Sequence, residues 1–185
     1  DKQKLFADVI VSNMDIFPTY RHLLPKAKAP EKILAQERSS SAVIFYWGIQ
    51  KQFPSLDLHN IFFSEDYQAE FKAIFKEHSL YDDPTIYVNI TAKDVPSDAP
   101  EGCENWFVMI NTPADYGQDW EADIVSLRTK VLDKLEVRLT TSIRKHIVTE
   151  EVLTPPKIQA KTQSHLGALY GASSNDKMAA FWRHP

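Results

Sequence analysis

The chain has 185 residues, 43% of them hydrophobic and 25% charged, with a formal net charge of −4. A chain of this size buries roughly 70% of its unfolded surface around one core, and its composition excludes wholesale disorder and collagen-like repeats. The slight acidity leaves no electrostatic footprint for nucleic acid, and no apolar run approaches the ~20 residues that span a bilayer. Glycine is the informative scarcity. Gly48, Gly102, Gly117, Gly167 and Gly171 are the whole set, and no two fall within three residues of each other. Neither a G-x-G-x-x-G dinucleotide loop nor a G-x-x-x-x-G-K-[ST] phosphate loop is present. The single cysteine, Cys103, cannot make an internal disulfide, which fits a cytoplasmic setting, and its neighbours Glu101 and Glu104 disfavour a reactive thiolate. In that setting the sequon Asn89-Ile90-Thr91 is uninformative. The first methionine is Met14, and the chain stops at Arg183-His184-Pro185, so the expectation is one domain, residues 1–185, cut from a larger protein.

In chain order, the β-branched stretch from Ala7 to Asn13 predicts a strand closed by turn residues. Pro18 opens a short helix ending near Leu24, and Pro25 to Pro30 form a loop carrying Lys26 and Lys28. Ser39-Ser40-Ser41 leads into Ala42 to Trp47, apolar at every position, which predicts a central strand covered on both sides and ended or kinked by Gly48. His59 to Phe63 reads as a further strand. Ser64 is the expected N-cap of the next helix, with Tyr67, Phe71, Ile74 and Phe75 forming its apolar face. Pro84 to Ile90 alternates, with Ile86, Val88 and Ile90 on one side and Tyr87 and Asn89 on the other.

Asn105 to Ile110 is another expected strand, and the longest helix runs from about Asp119 to Leu139 with Trp120, Ile124, Leu127, Val131 and Leu135 as its buried stripe. Ile143 to Leu153 resembles a strand, Thr154-Pro155-Pro156 looks like a helix start, and Asn175 to Phe181 predicts a last short helix. Together these give an α+β fold: a mixed, largely antiparallel sheet with helices packed on one face.

The titratable residues offer no strong motif. His22, His59, His78, His146, His165 and His184 contain no H-x-x-x-H spacing, so no metal site is expected. No G-x-S-x-G elbow surrounds Ser41 or Ser164. Asp82 and Asp83 are adjacent before Pro84, a pattern suited to a turn cap more than to an acid/base pair. The aromatic load is the remaining feature. Phe45, Tyr46 and Trp47, Phe62 and Phe63, Tyr87, and Trp106 and Phe107 suit either an aromatic-rich core or an apolar pocket for a long greasy ligand, and composition leaves both open.

Specific strings narrow this. Ser39-Ser40-Ser41 followed by Val43 to Gly48 resembles the strand that opens the substrate domain of phytoene desaturases and related carotenoid desaturases. The stretch from His59 to Tyr67 is similar to that family's H-x-I-x-F-x-x-D-Y segment, Asp83 to Val88 to its D-P-[ST]-x-Y-V stretch, and Ala99-Pro100-Glu101-Gly102 to its A-P-x-G turn. Thr154-Pro155, Gly167 to Gly171 and Arg183 match its T-P, G-[SA]-x-x-G and terminal arginine motifs, and Ala7 to Asp15 resembles the return from its flavin domain, within residues 1–24. The resemblance implies an FAD-dependent CH–CH oxidoreductase acting on acyclic isoprenoid polyenes. The flavin would be held mainly by regions outside this chain, which alone would be inactive.

It further implies a substrate pocket, for which Phe45, Trp47, Tyr87, Asn89, Phe107, Met109 and Leu166 are the expected lining. Gly167 and Gly171 would let backbone approach the flavin. Peripheral membrane association follows from the insolubility of such a substrate. A non-catalytic module that carries an apolar lipid, a carotenoid ketolase and a retinoid saturase would look alike over this region.

Overall fold

In the computed structural model, which describes residues 4–173, five strands form one antiparallel sheet in the order β2-β3-β4-β1-β5. They are β1 (Ser41–Ile49), β2 (His59–Phe62), β3 (Ile86–Asn89), β4 (Glu104–Thr112) and β5 (Ile147–Leu153). Every pairing is antiparallel, so the expected mixed character resolves to a single sense. The helices are α1 (Ile16–Pro18), α2 (Glu31–Leu34), α3 (Tyr67–Lys72), α4 (Trp120–Leu139) and α5 (Pro155–Thr162), with wider or tighter turns extending several of them.

The core lies between one sheet face and α4. Val43, Phe45, Trp47 and Ile49 of β1, Ile86 and Val88 of β3, and Trp106, Val108 and Ile110 of β4 pack there with Leu127, Val131, Leu132 and Leu135 of α4. Strand alternation sends these side chains to one face, and the helical repeat supplies the opposing stripe. The long helix starts within a residue of the expected Asp119, which caps it by accepting a hydrogen bond from Ala122 N at 3.2 Å. Thr154 caps α5, and two prolines fill its first turn.

Four expectations change. Ala7 to Asn13 forms no strand: Val9, Ile10 and Val11 are 77%, 86% and 87% exposed, and strand propensity without a neighbouring strand leaves backbone groups unpaired. Asp66, rather than Ser64, caps α3 by accepting from Ala69 N at 2.9 Å. The helix is also turned over. Of the expected apolar face only Ile74 is buried, beside Glu70 and Ala73, while Tyr67 and Phe71 are exposed and Phe75 half-buried, their rings tilted against one another at 4.7 and 5.3 Å. Glu70 accepts both from Thr85 N and from Thr85 Oγ1 at 2.7 Å, and that pairing satisfies the buried carboxylate. Finally, β5 starts at Ile147, because Arg144–His146 form a 3-10 turn after the buried Ile143. The helix expected at Asn175 to Phe181 lies outside the described residues.

Carboxylates tie the loops to this frame. Asp82 and Asp83 separate: Asp82 pairs with Lys130, while Asp83 holds Lys134 and Glu65 N. Glu136 accepts from Ile143 N and Arg144 N at 2.7 and 2.9 Å. Asp15 pairs with Arg38 and accepts from Phe17 N and His165 N, stitching the N-terminal segment to β1 and to the turn after α5. In all three, burial pushes the carboxyl up, but hydrogen bonds and neighbouring cations outweigh it and leave the pKa below its ordinary value. A carboxylate shifted this way contributes stability in full above its unfolded value, near 3.8 for Asp and 4.5 for Glu. The contribution is lost as pH falls through the lower folded value. The unfolding temperature is therefore expected to hold from pH 7 to about pH 5 and to drop below about pH 4, as read by scanning calorimetry. A flat profile down to about pH 3 would show that these ties contribute nothing.

Candidate functional site

The second face of the sheet is only partly covered. Ala42 and Ile44 of β1 are buried at the end of the strand that α5 contacts. Beyond them the face opens to solvent, with Tyr46 41% and Ile61 54% exposed. The central strand is thus covered on one face throughout and on the other only at its start.

Register decides what shares this open face, because directly opposed residues point the same way. Tyr46 faces Phe107, Ile44 faces Met109 and Gly48 faces Asn105. Across the next pairing Tyr87 meets Met109 and Asn89 meets Phe107, and beyond it His59 meets Asn89 and Ile61 meets Tyr87. The outcome is a row of rings crossing four strands. Tyr46 and Phe107 are 5.5 Å apart edge to face, Phe107 and Tyr87 6.3 Å apart edge to face, and Tyr87 and His59 stack at 6.0 Å.

A groove of about 450 Å³ runs beside the row, bordered among others by Tyr46, Trp47, Gly48, Asn89, Asn105 and Phe107, with Tyr87 and Met109 on the same face but outside it. Gly48 floors it. A Cβ there would lie 2.4 Å from Thr149 Cγ2, and the β1–β5 register slips at Gly48/Ile49, which is the kink expected at that residue.

The residues expected to line a pocket therefore divide. Tyr87, Asn89, Phe107 and Met109 share the open face, half-buried. Phe45 and Trp47 turn to the other face, 0% and 2% exposed, where they stack at 5.4 Å in the core and Trp47 Nε1 donates to the Glu150 carboxylate. Leu166 sits in the 3-10 turn after α5 with φ 57°, its carbonyl accepting from Asp115 N at 2.8 Å, and is not among the residues lining the groove. Tyr46, named above only among the aromatics that suit a core or a pocket, joins the open face together with His59 and Ile61, which the expected lining does not include. The signal for Tyr46 was its place between two residues of opposite facing, but that becomes readable only once the strand's neighbours are known.

A second concavity, of about 530 Å³, lies where the N-terminal segment meets the turn after α5, and Asn13, Asp15, Ser164, Tyr170 and Gly171 contribute to it. The two glycines differ here. At Gly167 (φ 66°) a Cβ would fall 2.2 Å from Pro155 O, so its bareness admits this chain's own backbone. At Gly171 (φ 72°) a Cβ would meet nothing within 4 Å, and the residue borders the open concavity. His165 stacks on Phe17 at 3.5 Å, and burial first, then the Arg38 charge, lower its pKa, with Asp15 opposing. Among the described residues no cluster of His, Cys, Asp or Glu could hold a metal ion, and no helix is long and apolar enough to cross a membrane.

Comparison with known proteins now decides the family. Over 179 residues the chain is 62% identical to a 1-hydroxycarotenoid 3,4-desaturase from Flavobacterium sp. (strain P99-3), covering 97% of this chain. The chain belongs to the carotenoid desaturase family. A 4,4'-diapolycopene oxygenase from Methylomonas sp is 41% identical over 89% of the chain. A 4,4'-diaponeurosporene oxygenase from Staphylococcus aureus (strain bovine RF122 / ET3-1) is 38% identical over 92%. No family model matches. The chain spans little more than a third of these relatives, 37%, 34% and 35% of their respective lengths. All three relatives are named as carotenoid desaturases or oxygenases.

Proposed function

We propose that this chain is the substrate-binding domain of a flavin-dependent desaturase acting on 1-hydroxylated acyclic carotenoids, and that the polyene lies across the open sheet face. The observation that carries the reading is the ring row Tyr46–Phe107–Tyr87–His59, laid across four strands on a face that α4 does not cover. A conjugated polyene is flat, rigid and apolar. Rings spaced this way meet it edge and face along its length, and each square ångström removed from water contributes about 25 cal/mol. The substrate is the one named for the relative at 62% identity.

The lining then consists of Tyr46, Tyr87, Asn89, Phe107 and Met109 on the open face, while Phe45 and Trp47 hold the strand beneath them against α4. These residues bind the polyene, fix its orientation and exclude water, which is the protein's share of such a reaction. FAD, when bound, supplies the acceptor for the hydride removed from a C–H bond. Only a margin of this chain suits it: the concavity at Gly171, open where a Cβ would sit and bordered by Asn13 and Asp15. The remainder of its site belongs to regions outside the chain, since no dinucleotide loop is present. Residues 1–24 are the return from that flavin domain, and the exposed Val9, Ile10 and Val11 suit a strand completed there. The outward stripe Tyr67–Phe71–Phe75, beside Lys72 and Lys76, suits a peripheral contact with a bilayer that holds the substrate.

The test is the pigment profile after full-length parent is expressed in bacteria that accumulate phytoene, neurosporene or a 1-hydroxylated acyclic carotenoid. A red-shifted product is expected in the hydroxylated background, with the purified parent co-sedimenting with liposomes. Soluble, flavin-loaded protein that alters no pigment in any background would overturn the assignment.

A further inference from the structure

The ring row has the Tyr46 hydroxyl at one end and, at the other, His59 on the edge strand β2. There His59 Nδ1 lies 2.8 Å from Tyr87 Oη and 3.2 Å from Asn89 Nδ2. Asn89 settles the proton positions. Its amide nitrogen donates to Leu58 O at 3.0 Å, so the same NH₂ end, not the amide oxygen, faces the imidazole. A nitrogen facing an N–H donor must present its lone pair, so Nδ1 accepts and the ring proton sits on Nε2. The Tyr87 hydroxyl, also directed at Nδ1, donates to it and keeps its own oxygen lone pairs free. No other hydrogen bond engages the His59 ring among the described residues. The row therefore ends in one free donor, Nε2–H, and one free acceptor, Tyr87 Oη.

We propose that His59 and Tyr87 form the subsite that reads the hydroxyl end group of the polyene. The inference rests on the open face being the polyene platform. A hydroxyl is both donor and acceptor, and this end of the row presents one oriented group of each kind side by side, where the Tyr46 end offers a single hydroxyl and Phe107 between them only an apolar ring. In the free protein His59 is exposed and water satisfies it. Once a polyene covers the face, a hydrocarbon end would leave Nε2–H unpaired, whereas a hydroxylated end pairs it. A site built this way rejects the analogue lacking the hydroxyl more strongly than a plain apolar pocket could. Anchoring the end group also fixes where the rest of the chain lies along the row, and hence which bond meets the oxidant.

The experiment is a competition in the full-length parent between a 1-hydroxylated acyclic carotenoid and the hydrocarbon of equal chain length. Wild type is expected to favour the hydroxylated substrate in kcat/KM by at least about tenfold. His59→Phe keeps a ring on Tyr87 but removes Nε2–H, and Tyr87→Phe removes the acceptor. Each is expected to lower that ratio by about tenfold, mainly through KM. A purely structural role would depress both substrates alike, and that outcome, like a wild type with no preference, overturns the subsite while leaving the desaturase reading standing. Turnover of neither substrate by flavin-loaded wild type would remove the reading itself, and the subsite with it.

Discussion

Phe107→Ala in the full-length parent is expected to cost about 10- to 100-fold in kcat/KM, with the unfolding temperature little changed. Phe45→Ala should do the reverse. The two residues sit on neighbouring strands of one sheet, and Val108, next to Phe107, is the register partner of Phe45. Phe107 is half-buried on the open face, with ring contacts to both Tyr46 and Tyr87. Its removal breaks the row in the middle. A ring that covers substrate is worth about 1.5–3 kcal/mol of binding, while the lost cross-strand contacts account for at most about 1 kcal/mol of stability. Phe45 is 0% exposed beneath α4, and emptying that position leaves a cavity costing about 3–5 kcal/mol. The measurement is kcat/KM per folded enzyme beside a thermal unfolding curve for each variant. If Phe45→Ala impaired turnover per folded molecule more than Phe107→Ala did, the substrate would not lie on the open face.

That contrast also marks how far the residues could be read without coordinates. α4 was legible because a capping aspartate, Asp119, precedes a stripe at helical spacing with one face to bury. β3 was legible because Ile86, Val88 and Ile90 alternate with Tyr87 and Asn89. β1 was legible as a strand but not as two faces. Ala42 to Trp47 are all apolar, so alternation carries no sign, and only the pairing of Tyr46 with Phe107 shows which side α4 takes. For that reason Phe45 and Trp47 read as companions of Tyr87 and Phe107. α3 misled for a different reason: its rings Tyr67 and Phe71 face out, and a glutamate satisfied by Thr85 faces in. Hydrophobic spacing ranks side chains by their cost in water, and a buried carboxylate with all its bonds made escapes that ranking. The segment from Ala7 to Asn13 has the composition of a strand and no partner among the described residues.

Glu104→Ala is expected to destabilise the fold by about 3–5 kcal/mol. Glu104 is 3% exposed at the start of β4, and its two oxygens gather three elements. Oε1 accepts from Phe53 N at 2.9 Å and pairs with Lys93 at 2.7 Å, while Oε2 accepts from the indole Nε1 of Trp106 at 2.8 Å. Lys93, itself only 19% exposed, also donates to Phe53 O at 2.7 Å. Alanine would leave the Phe53 amide and the Trp106 indole N–H with no acceptor and the Lys93 ammonium, still bonded to Phe53 O, with no counter-charge, and the cost lies in those stranded groups more than in the lost attraction. Two companion variants separate these contributions. Glu104→Gln keeps an oxygen for Phe53 N and Lys93 but turns an NH₂ towards Trp106, so a smaller loss than for alanine is expected. Lys93→Met combined with Glu104→Leu removes both charges together and is expected to recover part of the stability lost in Glu104→Ala. Thermal and urea unfolding of the full-length parent read all three. If Glu104→Ala lay within about 0.5 kcal/mol of wild type, as a surface substitution would, the knot between the Phe53 loop, Lys93 and β4 would not be what holds this end of the sheet.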